Sequence, residues 1–392
     1  MIKAITVSTS EIDDAEAAVA EITAQLDAGN RLLAHSIGLM GCYSDFIDSG
    51  VVAALHDALP FEFVGTTTLG AISRETDPLV GLTMLVLTSD DVSFVTGLTE
   101  PIEGEDADVI ARGYAEAAKK LGEGEKPSLL LSYAPLLLNV GGDFFVNTLS
   151  EVSGQAPNFG TVSADDTIDY HNSHIIINGE AYRDRLAFVL VCGDVKPKFR
   201  IASISGEKIF REKGVVTASR GNQLQTINGI SVEDYLLSLG LKKGADGTLT
   251  GVNSYPFIVD YNDGSPPVVR IIFAITPEGY AVCGGDIPEG ATLSVGFIDG
   301  DEVVKATGDE LRKISPDDKP AALLIFSCIG RYFSLGYESE READEVKKLL
   351  AGTGIPYAMT YSGGEICPTG ATEGDAGTIN RFHNDTFAIC VL

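Results

Sequence analysis

Pro320-Ala321-Ala322-Leu323-Leu324-Ile325-Phe326-Ser327-Cys328 opens the stretch whose reading decides the fold. The apolar run has the length and texture of a buried strand. A polar loop with Gly330, Arg331 and Gly336 follows, then a charged helix from about Glu340 to Leu350 that Gly352 and Gly354 stop. Ile355 to Tyr361 reads as a second strand, running into Ser362-Gly363-Gly364-Glu365-Ile366. Two strands joined by a helix make a βαβ-like crossover, and such units present their chemistry where the strands end.

The same design recurs twice earlier. In the first copy, Ala4 to Val7 is a strand, and Ile12, Ala15, Val19, Ile22 and Leu26 put an apolar stripe on a helix. Ser10 is its expected cap, Asp13 falls in its first turn and Gly29 closes it. Leu32 to Ser36 reads as the next strand, Val52, Leu55 and Leu59 mark a second helix, and Phe63-Val64 leads into Gly65-Thr66-Thr67-Thr68-Leu69-Gly70-Ala71-Ile72. Leu82 to Leu87 completes the unit. The second copy runs from Val92 through a helix near Asp106 to Leu121, the strand Leu129 to Ser132 and a helix at Phe145, Leu149 and Val152. It continues through the polar stretch Pro157 to Asp166, a hairpin at Asn178-Gly179 and the strand Leu186 to Val191.

Spacing supports the repeat. Ser36 to Ser132 is 96 residues and Pro60 to Pro157 is 97, whereas Ser132 to Ser327 is 195 and Pro157 to Pro356 is 199. About twice the interval means that extra material lies between the second and third copies. A period near 97 residues is too long for a solenoid, where repeats span roughly 20–50. The expected fold class is therefore α/β, with layered mixed sheets built from repeated strand–helix–strand units in two modules, 1–198 and 199–392. A β-rich insert is expected at about 199–288, with one short helix at Val232 to Leu239 capped by Ser231.

The 392 residues suit two domains, and 44% hydrophobic content is ample for a globular core. A net charge of -28 repels phosphate backbones and anionic lipid, so neither nucleic acid nor a membrane surface is an expected partner. Met1-Ile2-Lys3 leads straight into strand and helix, so no signal peptide is expected. The longest uncharged run, Pro127 to Gly142, is 16 residues, short of the ~20 that span a bilayer. Six cysteines without a C-x-x-C pair fit reduced thiols in a cytoplasm.

The candidate chemistry sits at the strand ends. Thr66, Thr67, Thr68 and Gly70 in the first copy, and Tyr361, Ser362, Gly363, Gly364 and Glu365 in the third, combine hydroxyls with glycines that let a ligand approach the backbone. An ordinary turn, its hydroxyls spent on backbone groups, is the competing reading. Arg331 offers a bidentate fork for a carboxylate, and Glu365 could hold an amine. Cys328 could be a nucleophile only with a base, for which His383 is the one histidine in the C-terminal half. Asp165, Asp166, Asp169, His171 and His174 gather oxygen and imidazole ligands, but without a helical H-E-x-x-H or a second cluster no metal is expected. Neither a G-x-x-x-x-G-K-[ST] nor a G-x-G-x-x-G occurs, and no cofactor is expected.

Ser327-Cys328-Ile329-Gly330-Arg331, Tyr361 to Ile366 and Phe382-His383-Asn384-Asp385-Thr386 resemble the C-terminal half of the FIST domain. Phe63 to Ile72 and Phe159 to Asp166 are similar to its N-terminal half. The likeness places a FIST N-like module near residues 30–220 and a FIST C-like module near 221–370. It implies a cytoplasmic sensory module of signal transduction that binds a small polar ligand, with amino acids suggested, and that signals to a separately encoded partner. By the same likeness Asn384 joins Cys328, Arg331 and the strand-end residues as a ligand contact. The chain departs from the pattern at Ala71, where Gly-Glu-Ile is expected. A cysteine-dependent hydrolase or transferase using Cys328 and His383 is the alternative function.

Overall fold

A computed structural model describes residues 1–28, 32–73, 81–137, 139–167, 170–245, 247–370 and 379–392. Three sheets share one plan, which runs from an outer strand to a return strand, a central strand, its parallel partner and an added strand. In the first unit these are Lys3–Thr9, Leu82–Ser89, His35–Cys42 and Glu62–Thr67. The second uses Ser93–Leu98, Ala187–Cys192, Pro127–Ala134 and Asn158–Val162; the third uses Lys198–Ala202, Phe387–Val391, Leu323–Cys328 and Tyr357–Ser362. Only the central and partner strands run parallel, in register from Ile37 opposite Glu62, Leu130 opposite Asn158 and Leu323 opposite Tyr357.

Two helices cover each sheet: Ala15–Asp27 and Val51–Ala58, Ala107–Ala118 and Gly142–Val152, Gly300–Arg312 and Arg341–Leu350. The first helix of every unit is capped by an aspartate, Asp14, Asp106 or Asp299, whose side chain accepts from the opening backbone N–H groups. Ser10 is therefore not the cap of the first helix. The chain bends through residues 11–13 before Asp14 reaches the extended conformation a cap needs. Gly29 lies outside the described residues. The strand expected at Leu32 to Ser36 instead runs His35–Cys42. Its glycines are demanded by packing, since a side chain at Gly38 would meet Met84 and Phe63, and one at Gly41 would meet Thr360.

Helix Gly300–Arg312 was not anticipated, because its buried stripe gives positions to Thr307 and Gly308 between Val303 and Leu311. Ahead of it lies the material that doubles the third interval. Among the described residues, eight short strands from Gly214 to Val295 form one antiparallel sheet around Val216, Leu224, Ile227, Phe257, Val259 and Leu293. Ser231 caps the helix Val232–Ser238 there.

The inner faces of all three α/β sheets meet in one core. Ile37, Leu39 and Leu85 come from the first, Leu131, Phe159 and Val189 from the second, Leu324, Phe326 and Ala388 from the third. Phe159 stacks on Phe326 with centroids 5.3 Å apart. Helices cover the outer faces, so the strands are apolar on both sides and read as continuous runs.

The added strands close the assembly. After its partner strand, each unit sends chain into a neighbour's sheet. Ala71–Ser73 leaves the first unit to pair with Tyr357–Ser362 of the third. Ile175–Ile177 leaves the second to pair with Glu62–Thr67 of the first, and Glu365–Thr369 leaves the third to pair with Asn158–Val162 of the second. The exchange is cyclic, and every partner strand has its exposed edge covered by another unit. The three sheets should therefore unfold in one calorimetric transition. Ile176→Ala, in the strand lent to the first unit and fully buried, should cost about 2–5 kcal/mol and lower that single transition. A separate early transition of one unit contradicts the arrangement.

Candidate functional site

Because the exchanged strands start at the strand ends, the three polar stretches are drawn together. Thr68 donates its hydroxyl to the Tyr361 carbonyl at 2.6 Å, and Tyr361 N–H returns to Gly70 at 3.0 Å. Gly363 N–H bonds Val162, and Val162 N–H bonds Gly364, both at 2.9 Å. His174 N–H donates to the Thr67 hydroxyl at 2.8 Å, and Thr67 N–H to the His174 carbonyl at 3.0 Å. Thr66 Oγ1 donates to the carbonyls of Thr67 and His174. Thr66, Thr67, Thr68 and Gly70 are thus buried and hydrogen-bonded within the junction. Gly363 and Gly364 sit where a side chain would strike the Ser163 carbonyl and the Phe382 ring.

The third unit buries its charges beside this junction. Arg331 Nε and NH2 reach Glu342 Oε1 at 2.9 and 2.7 Å, and NH2 also donates to Thr307 Oγ1 and the Val303 carbonyl. Glu342 accepts from Ser327 Oγ as well, at 2.6 Å. Arg331 therefore faces a carboxylate of its own chain and ties the central strand to three helices. Ser362 Oγ and Thr386 Oγ1 each donate to Glu365 at 2.6 Å. Burial outweighs these bonds and raises the Glu365 carboxyl to about 8. Burial also raises Asp385 to about 7, and both of its carboxylate oxygens lack a hydrogen-bond partner among the described residues. Tyr361 packs edge-on against Tyr332, and its buried hydroxyl has no hydrogen-bond partner among the described residues.

Cys328 is buried, and desolvation with the charges of Glu365 and Asp385 drives its thiol well above the usual range, away from the thiolate a nucleophile needs. His383 holds its Nε2 on the Cys367 carbonyl at 3.0 Å, and burial lowers it to about 3. A carbonyl only accepts, so Nε2 carries the proton and the ring stays neutral. Asp165 accepts from Thr167, Asn172 and Ser173 and ties its own loop. His174 Nδ1 contacts the Asn172 carbonyl, while Asp166 is exposed. Asp169 lies outside the described residues, among which no group of carboxylates, histidines or cysteines converges to hold a metal.

Open space lies on both sides of the junction. The larger cleft, about 620 Å³, separates the inserted β unit from the second α/β unit and reaches Val162 and Gly363 at its floor. Arg270 fixes its width. This side chain is fully buried and donates to Asp143 Oδ1 at 2.8 Å, Tyr261 Oη at 2.6 Å, and the carbonyls of Asp286 and Phe382. Asp143 Oδ2 in turn accepts from Asp286 N–H at 2.8 Å. The β unit is thereby clipped to the start of helix Gly142–Val152, and removing one partner of such a pair costs about 3–5 kcal/mol. Close approach at the clip requires Gly285, where a side chain would meet Asp143 and Arg270. Asn384 donates to the Gly284 carbonyl at 3.4 Å, while its buried Oδ1 has no hydrogen-bond partner among the described residues.

Three charges on the cleft wall make no ion pair or side-chain hydrogen bond with a described residue: the exposed Arg220 and Glu105, and the half-buried Asp286. Burial and the neighbouring Asp143 raise Asp286 to about 6. Phe273, 64% exposed, overhangs the opening, and Leu136, Val140, Phe145 and Val282 supply apolar wall. Sequence reasoning missed Asp143, Arg270 and Asp286. The available signals were an arginine inside the apolar run Val268 to Ile272 and an aspartate after Gly141-Gly142.

The chain matches the FIST N domain over residues 36–230 and the FIST C domain over residues 232–368. Such domains are the sensory parts of signal-transduction proteins. This chain belongs to the FIST family, with both halves present in order. No curated protein matches it. Among solved structures it is similar to a cyanuric acid hydrolase from A. caulinodans, at 11% identity and a TM-score of 0.35, with 100% of this chain and 98% of that one covered. It is also similar to PurLQS from Thermotoga maritima, at 11% identity and a TM-score of 0.20, covering 100% of this chain and 72% of that one. Likeness at this level carries no chemistry across.

The buried carboxyls give stability a defined pH dependence. Glu365 at about 8 and Asp385 at about 7 lie above the unfolded carboxylate range near 4. Their folded-state preference for the proton is fully present below pH ~4 and is lost as pH rises through 7 to 8. Melting temperature should fall from pH 5 to 8.5, with each group contributing on the order of 1 kcal/mol per pH unit between its two pKa values. Glu365→Gln should flatten the fall. A melting temperature that rises over that range contradicts this assignment.

Proposed function

We propose that this protein is a sensor whose larger cleft takes a small polar metabolite, with an amino acid as the expected class. Its occupancy is passed to a separately encoded signalling protein. The observation that carries the reading is a set of opposite charges without ion pairs among the described residues, Arg220 against Asp286 and Glu105, on the wall of one cleft. Asp286 meets the ammonium group and Arg220 the carboxylate, while the walls around Leu136, Val140 and Phe145 take the side chain. The strand-end residues support the cleft from below, with Gly363 at its floor. Arg331, Glu365 and Asn384 hold that floor in place.

A ligand between the β unit and the start of helix Gly142–Val152 spans the joint that Arg270 holds. Occupancy therefore stiffens the contact between the β unit and the second α/β unit, which is a change a partner can read. The six cysteines are all free and buried, which suits a reducing cytoplasm as the setting. No helix among the described residues is long and apolar enough to cross a membrane.

A thermal-shift screen of amino acids and small carboxylates tests the reading. A ligand at 100 times its dissociation constant should add about 2.7 kcal/mol of stability. Asp286→Asn and Arg220→Ala should each weaken binding about tenfold or more. Because Asp286 titrates at about 6, affinity for the ammonium group should drop as pH falls below that value. No shift from any amino acid, or a shift unaffected by either substitution, contradicts the proposal.

A further inference from the structure

On the other side of the strand-end junction a second hollow, of about 390 Å³, opens beside Leu69. It is lined by three aromatic rings, Tyr43, Tyr332 and Phe333, and three carboxylates, Asp45, Asp165 and Asp166. Among the described residues, no lysine or arginine lines it. The parts come from all three units. Tyr43 and Asp45 follow the first central strand, Asp165 and Asp166 the second partner strand, and Tyr332 and Phe333 the third central strand. Nothing local in the chain requires this convergence of rings and acids.

The rings are held at fixed angles. Tyr43 donates its hydroxyl to the Leu69 carbonyl at 2.6 Å. Tyr332 is edge-on to the buried Tyr361, with centroids 5.1 Å apart at 69°. Phe333 stands at 79° to Tyr332, at 5.9 Å, and remains 57% exposed. Among the described residues, no arginine lies over any of the three rings, although arginines do cover Tyr182, Tyr261 and Phe382 elsewhere. Asp45 and Asp166 make no ion pair with a described residue, and the charges of Asp165 and Asp45 contribute to raising Asp166, after burial. Among the described residues the hollow is negative and aromatic and has no cation of its own.

The geometry selects the kind of cation. An inorganic ion needs several oxygens converging at bonding distance, and no such group exists among the described residues. Dispersed carboxylates around aromatic faces suit a bulky, weakly hydrated cation, which gains from the ring quadrupoles and from the surrounding negative potential. We propose that this hollow binds an organic ammonium ion of the trimethylammonium class, seated against Tyr43, Tyr332 and Phe333 and balanced by Asp45 and Asp166. The site is separate from the metabolite cleft and does not depend on that assignment.

Choline is the probe, titrated calorimetrically into the full chain beside its neutral isostere, in which a tert-butyl group replaces trimethylammonium. Choline should bind at least about tenfold more tightly than the isostere. Phe333→Leu leaves the core untouched because the ring is exposed, and should weaken choline about threefold to tenfold. Asp166→Asn should weaken it further and reduce its salt dependence. Asp286→Asn, in the other cleft, should leave choline binding unchanged. Equal binding of the two probes, no choline binding, or choline binding insensitive to Phe333→Leu overturns the proposal. Loss of choline binding in Asp286→Asn would also overturn it, by placing choline in the larger cleft.

Discussion

Each of the three α/β sheets is completed by a strand that belongs to another unit, and the exchange closes on itself. Backbone hydrogen bonds in a sheet are obligatory once their groups are buried, so the units cannot separate without exposing three edges at once. That constraint fixes where the chain must turn. Every partner strand ends at the place where its continuation crosses into the next sheet. The three turns are therefore packed against one another, and the polar residues found there are first answerable to that packing. Long-range pairing of this kind also makes the fold slow to assemble, since residues near 175 and 365 must return to strands formed far from them in sequence.

Crowding at the junction explains its composition. Turns that touch leave no room for side chains at Gly363 and Gly364, and hydroxyls at Thr66, Thr67, Thr68 and Ser362 satisfy carbonyls and a carboxylate that water cannot reach. The same logic governs the buried arginines. Arg331 with Glu342 locks the third unit's helices to its central strand, and Arg270 with Asp143 locks the β unit to the second unit. Both pairs are surrounded by further hydrogen bonds, the condition under which buried charges are tolerated. With its positive charges so placed, the junction is a buried support, and two hollows open beside it.

Much of this was legible in the chain because periodicity and punctuation are local. The apolar strands, the helix at Ala107–Ala118 and the Asn178-Gly179 hairpin follow from residue order alone, and equal spacing of Ser36, Ser132 and the prolines exposed the repeat. Strand exchange was not legible, since Ala71–Ser73 reads the same whichever sheet receives it. Helix Gly300–Arg312 was hidden by its polar buried stripe, and His35–Cys42 by glycines that only tertiary packing explains. At the site, the strand-end residues were recognisable as special by type. Their role as supports, and the placing of Arg270 against Asp143 across 127 positions, depend on contacts that no local pattern encodes.

The proposed function rests on the joint between the β unit and the three-unit body, where Arg220 and Asp286 line a cleft beside the buried Arg270–Asp143 pair. Hydrogen exchange read by mass spectrometry, with and without the amino acid that stabilises the protein most, tests this directly. The account predicts slowed exchange in residues 139–146, 218–224 and 270–286, the three segments that bound the cleft. Protection confined to the segments around Tyr43 and Phe333, or no protection in these three, would contradict it.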